Sequence, residues 1–220
     1  KEKEWVPGRD ASALPGGGAF PSTFYTQNTY VYDYQLIRKQ GQIFETRTLI
    51  EENGQKRHER DAPLKTEVFQ HHYVIFGPIG LVGARWQTKH DYKIVKEEII
   101  KNERCVVVEA LPKDTKETGH LFGKLWLRIP DAAILKIEWN QASVGNIEAI
   151  KSFARRANLR PEIAFSSEYA VEKNGIRFPS RYFVKEDYID QTRMQRIHKS
   201  ETLVTYENYK YFTVETNIRY

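Results

Sequence analysis

Two Asn-Gly pairs, Asn53-Gly54 and Asn174-Gly175, each lie between runs of alternating apolar and polar residues, and this restricts the chain to a largely antiparallel fold. Asn and Gly tolerate the positive φ angles of a type I′ turn, whose twist matches that of the strands it joins. Alternation with a two-residue period marks a half-buried strand. It begins with Tyr30, Tyr32, Tyr34 and Leu36 on one face, opposed to Asp33 and Gln35. A second strand is expected over 42–52 and a short polar one over 55–61, on either side of the first turn. Further strands are expected at 91–100 and 103–111. Then Leu121, Gly123, Leu125 and Leu127 oppose Lys124 and Arg128, and after a turn at Pro130-Asp131, Leu135, Ile137 and Trp139 oppose Lys136, Glu138 and Asn140. The remaining strands are expected at 162–172, 176–188, 195–206 and 209–219. Ile176, Phe178, Tyr182 and Val184 share one face there, as do Phe212, Val214, Thr216 and Ile218.

Helical patterning interrupts this twice. Leu64, Val68, His72 and Ile75 recur at three to four residues, and Pro78 suits the first turn of another short helix. The glycine-punctuated apolar stretch from Gly77 to Gly83, bounded by Trp86, must fill a core or lie over a cavity as a lid, because apolar surface is not left in water cheaply. Ile147, Ile150, Phe153, Ala154 and Ala157 predict a second helix, with Ser143 as its N-cap, Arg155, Arg156 and Arg160 at its end and Pro161 stopping it. Residues 1–22, with Pro7, Gly8, Pro15, Gly16, Gly17, Gly18 and Pro21, read as a flexible leader or linker without regular structure, and 23–220 as one domain.

An antiparallel meander of about ten or eleven strands is too wide to stay flat and is expected to curl into an open half-barrel, mainly β with helices over its concave face. Thirteen Tyr, eleven Phe and four Trp suit sheet faces and apolar linings. The net charge of +5 is dispersed among acidic neighbours, which argues against nucleic acid as a partner and leaves room only for a faint attraction to anionic headgroups. Cys105, the sole cysteine, lies in an apolar run and reads as a buried structural thiol. No stretch approaches the ~20 apolar residues of a membrane span.

Catalytic signatures are missing from the sequence. There is no His-Glu-x-x-His zinc motif, nucleophile elbow or phosphate loop, and the glycines at 77, 80 and 83 do not match the dinucleotide fingerprint. His71 and His72 are adjacent and point to different faces of any regular element. No metal, cofactor or catalytic residue is therefore assigned.

The run Phe122 to Arg128 with Ile134 to Glu138, the stretch Gly175 to Arg181 and the closing Tyr206 to Glu215 resemble the outer-membrane lipoprotein-sorting family, the periplasmic carrier and its receptor. The resemblance spans about residues 24–220. It implies a half-barrel whose concave face, closed by helices, holds acyl chains, and a protein that is not an enzyme. The chain opens at Lys1 without an initiator Met, which fits equally a removed signal sequence and a boundary within a longer chain; from the resemblance, the periplasm or outer envelope is the expected compartment.

The expected ligand is a lipid or acylated protein, with an envelope protein as a further partner, peripheral membrane contact and a monomeric state. Face alternation nominates Tyr30, Tyr32, Tyr34, Leu125, Leu127 and Leu135 as cavity residues, together with Ile137, Trp139, Phe178, Tyr182, Phe212 and Val214. Ile79, Leu81, Val82 and Trp86 form the expected lid. A second reading is a protein-interaction module whose sheet is fully packed. A third, an enzyme, would need a cleft in which His71, His72 or His120 meets converging carboxylates.

Overall fold

The computed structural model describes residues 1–7, 25–39, 42–63, 80–114, 122–144 and 147–210. Strands β1 (Glu2–Pro7), β2 (Tyr25–Lys39), β3 (Gln42–Glu52) and β4 (Gln55–Arg60) come first. A 3-10 turn at Gly80–Val82 and a four-residue helix α1 (Ala84–Gln87) lead into β5 (His90–Ile100), β6 (Glu103–Pro112), β7 (Gly123–Arg128) and β8 (Ile134–Trp139). After helix α2 (Ile147–Arg156) come β9 (Leu159–Glu168), β10 (Val171–Lys173), β11 (Ile176–Phe178), β12 (Arg181–Asp190) and β13 (Gln195–Thr205).

Eleven of these strands form one sheet in the order β4-β3-β2-β1-β13-β12-β9-β8-β7-β6-β5. Every ladder in it is antiparallel. The sheet is curved and open, with β4 and β5 as its two edges among the described residues. The ladders slip register at Val31/Tyr32, Leu49/Glu51, Ile94/Lys96, Trp126/Leu127 and Glu186/Asp187, and each such bulge adds bend and twist. Both Asn-Gly turns form as expected, with φ of 49° and 80° at Asn53 and Gly54 and of 54° and 73° at Asn174 and Gly175.

The opening of the chain differs from the leader reading. Residues 2–7 form β1, which pairs with β2 on one side and β13 on the other and so joins the first hairpins to the rest of the sheet. Two flanking strands satisfy its backbone groups, and this outweighs a composition with little strand propensity. The rest of 8–22 lies outside the described residues.

Helix α2 is shorter than expected. Ser143 does not cap it: this residue closes a 3-10 turn, Gln141–Ser143, and its Oγ donates to Asn140 O at 2.6 Å. The helix ends where Asn158 takes a left-handed φ of 55° and its side chain donates to Thr192 Oγ1 at 2.7 Å. Arg160 and Pro161 therefore belong to β9, at a stretch paired only with β12, so the missing N–H of Pro161 breaks no second ladder. Ile147 and Ala154 are buried, whereas Phe153 faces solvent.

Candidate functional site

The two faces of the sheet are unequal. Along β9 every second residue from Leu159 to Ser167 is buried, and along β13 Ser200, Thr202 and Val204 are. Cross-strand register links these positions into rows. One row runs from Ala110 through Gly123, Trp139, Phe165, Val184 and Thr202 to Glu4; the next runs from Val108 through Leu125, Ile137, Ser167 and Tyr182 to Val204. This is the inner face, because α2 and the 80–82 turn pack on it through Ile147, Ile150, Leu81 and Val82.

The main apolar cluster of the inner face joins β6 to β9 and β12, and a smaller one of Ala154, Leu159 and Tyr188 lies beside it at α2. Leu125, Ile137, Trp139, Phe165 and Val184 are buried in the main cluster, and Trp139 stacks on Phe165 with ring centroids 6.2 Å apart. Among the described residues its cover consists of α2 and the 80–82 turn. Tyr92 Oη donates to Leu81 O at 2.7 Å, His90 Nδ1 to Trp86 O at 2.8 Å and Gln87 Nε2 to Val82 O at 2.6 Å. Side-chain bonds to backbone thus hold the segment where a ladder would otherwise do so.

Toward the middle of the sheet the same face turns polar. Glu4 is fully buried, and Glu186, Ser200 and Thr202 nearly so. Tyr188 Oη donates to Glu186 Oε1 at 2.5 Å. Burial, and then the Glu186 carboxylate, push the Tyr188 phenol well above its ordinary pKa, so it stays a donor.

The expected cavity residues fall into several groups. Leu125, Leu127, Ile137, Trp139 and Tyr182 come together in the apolar cluster with Leu81 and Val82. Tyr30 and Tyr32 form a separate cluster with Leu49 and Ala62. Tyr34, half-buried on the same strand, has its phenol pushed up by burial and then by Glu45. Trp86 is half-buried on α1, with Lys89 Nζ 5.4 Å from its ring.

Two of the nominated residues are elsewhere. Leu135 packs on the outer face with Cys105, Val107 and Trp126, because the bulge opposite Trp126 and Leu127 reverses the alternation in β8. Phe178 lies outside the main sheet: the expected 176–188 strand is split at Pro179, and Phe178 packs against Tyr209 in the β10–β11 hairpin region, with ring centroids 4.9 Å apart and planes tilted by 37°. Ile79, Phe212 and Val214, like His71, His72 and His120, lie outside the described residues.

Sequence reasoning missed the buried polar stripe. The available signal was phase: Glu186 sits between Val184 and Tyr188 on the apolar beat of β12, where a solvated carboxylate does not belong.

On the outer face, Trp126 Nε1 donates to Glu98, which also pairs with Lys96. Burial, followed by the Glu98 charge, pushes the Cys105 thiol up, so it is not poised as a nucleophile. A cleft of about 360 Å³ between the β5–β6 turn and the β10–β11 hairpin is lined by the apolar Ile100 and Leu135 and by the charged Lys101, Glu103, Glu168 and Arg177. These charged groups already pair, Lys101 with Glu168 at 3.0 Å and Arg177 with Glu103 at 2.7 Å. Among the described residues there is no group of three or more His, Cys, Asp and Glu side chains able to hold a metal ion, and no helix long and apolar enough to cross a membrane. No protein-family model, curated protein or solved structure matches the chain.

Proposed function

We propose that this chain is a binding protein without catalytic activity that holds an acyl chain, as a lipid or an acylated partner protein, against the inner face of its sheet. The observation that supports this most is the cover: Leu81 and Val82 lie over a broad apolar face on a short turn segment fixed by the bonds from Tyr92, His90 and Gln87. A segment held in this way opens locally at less cost than a strand inside the sheet. An acyl chain taking its place gains about 25 cal/mol for each Å² of apolar area removed from water, several kcal/mol in all. The resemblance of the 122–138 hairpin to the lipoprotein-sorting family supports the same reading, and with it a periplasmic or outer-envelope location and peripheral contact with a membrane.

Packing of Leu81, Ile147 and Ile150 into one cluster favours a second reading, an interaction module whose inner face is filled by its own side chains. Mass spectrometry of lipid extracted from the protein purified from its native source separates the two, together with uptake of a fluorescent fatty acid. Carriage predicts lipid near one per chain and saturable uptake that Val82→Asp weakens more than it lowers the melting temperature. Empty protein that takes up nothing rejects carriage in favour of the module.

A further inference from the structure

The two edges of the sheet are built differently. β4 is short, and its sequence Gln-Lys-Arg-His-Glu-Arg is exposed throughout, the usual guard against pairing with another chain. β5 is eleven residues long and presents Ile94 and Ile99, 68% and 69% exposed, with Tyr92 and Val95 beside them. Its outward backbone donors and acceptors have no strand to bond among the described residues.

We propose that β5 pairs antiparallel with β5 of a second copy of this chain, about a two-fold axis between Val95 and Lys96. Phase and charge both favour this register. The ladder with β6 slips between Ile94 and Lys96, so Tyr92, Ile94, Glu97 and Ile99 share the inner face while Lys93, Lys96, Glu98 and Ile100 share the outer. A two-fold axis perpendicular to the sheet keeps inner side chains inner. In the proposed register Tyr92 then stands opposite Ile99 of the second copy, Lys93 opposite Glu98 and Ile94 opposite Glu97, each pair on one face and each made twice. Without the bulge, the same register would set every one of these pairs on opposite faces.

Bulges and lysines ordinarily protect an edge. Here both strands carry the same bulge at the same place, and each copy sets Lys93 against a carboxylate. An extended peptide from another protein has no reason to match this internal symmetry. Pairing would join two inner faces into one continuous surface and cover Ile94 and Ile99.

Sedimentation of the whole chain over a concentration series tests the proposal, using two substitutions at one exposed position. Ile94→Lys sets a cation opposite Glu97 of the second copy and should leave the dimer intact; Ile94→Glu sets like charges opposite and should weaken it at least about tenfold. Neither should move the melting temperature by more than surface substitutions usually do. A monomer at concentrations up to about 100 μM, beyond which only very weak contacts remain, would overturn the proposal. So would equal loss in both variants, or a dimer indifferent to both.

Discussion

Arg177 Nη2 reaches both carboxylate oxygens of Glu103, at 3.0 and 2.7 Å, across 74 residues of sequence. Glu103 opens β6 and Arg177 is the middle residue of β11, so this contact ties the small hairpin to the end of the large sheet. Arg177 Nη1 also donates to Tyr169 O at 3.2 Å, and Arg128 Nη1 meets Glu103 at 2.7 Å from the other side. Holding Glu103 through Nη2 and Tyr169 O through Nη1 at once is beyond the single nitrogen of a lysine.

Arg177→Ala should therefore cost about 2 kcal/mol, the scale of hydrogen bonds to a charged group, and Arg177→Lys should recover only part of it. The loss should be local. Hydrogen exchange should quicken in the amides of residues 171–178 while β9 and β12 keep their protection. Uniform loss across the sheet would assign Arg177 to the global core.

Acid should weaken the fold through Asp187, whose side chain is 3% exposed. Its oxygens take bonds from His198 Nδ1 at 2.8 Å, Arg196 Nη1 at 2.8 Å and Lys185 Nζ at 3.1 Å. Burial pushes its carboxyl up, and the three bonds pull it down further, so it titrates below its ordinary value. A carboxyl depressed in the folded state adds stability that is complete above its unfolded value of about 3.9 and lost as pH falls through the lower folded value. Asp187→Asn should lower the melting temperature at neutral pH, and the gap from the parent should close on acidification below about pH 4. A gap constant across that range would show that the carboxylate charge is not what stabilises the site.

Glycines do two different jobs here, and alanine tells them apart. A Cβ at Gly123 would lie 2.0 Å from Glu138 O and 2.8 Å from Trp139 Cα, so β7 and β8 could not approach to ladder distance. Gly54 and Gly175 have open space around the same position but φ of 80° and 73°. Gly54→Ala and Gly175→Ala should each cost about 1 kcal/mol of backbone strain. Gly123→Ala should exceed them, at the upper end of the roughly 1–3 kcal/mol of overpacking or beyond. Chemical denaturation of the three variants decides the order.

The same hairpins show what was legible in the chain. Asn53-Gly54 and Asn174-Gly175 carry their turn geometry locally, and the β7–β8 pair follows from alternation alone. Leu135 does not, because alternation assumes constant phase and one extra residue opposite Trp126 and Leu127 reverses it. β1 was hidden for another reason. Its strand character comes from partners at 25–30 and 201–204, and no reading of residues 2–7 by themselves contains them. The inner-face cluster was found where strands were regular and missed where polar residues, Glu186 above all, kept the apolar beat.

The cover gives the most direct test of how a ligand would enter. Tyr92 Oη holds Leu81 O, and burial raises the Tyr92 pKa, so the hydroxyl remains a donor through the neutral range. Tyr92→Phe deletes that one bond, worth about 1 kcal/mol, and leaves the ring beside His90, to which its centroid lies 6.1 Å away. If opening of the segment limits entry, a fluorescent fatty acid should enter roughly fivefold faster in stopped flow, the rate equivalent of that energy, with little change in melting temperature. Leu81→Ala should behave differently, since it empties a buried position and should cost about 2–5 kcal/mol of stability. Faster entry in Tyr92→Phe at equal final uptake identifies the bond as a latch. An unchanged rate would mean that ligand reaches the inner face by a route that does not displace Leu81.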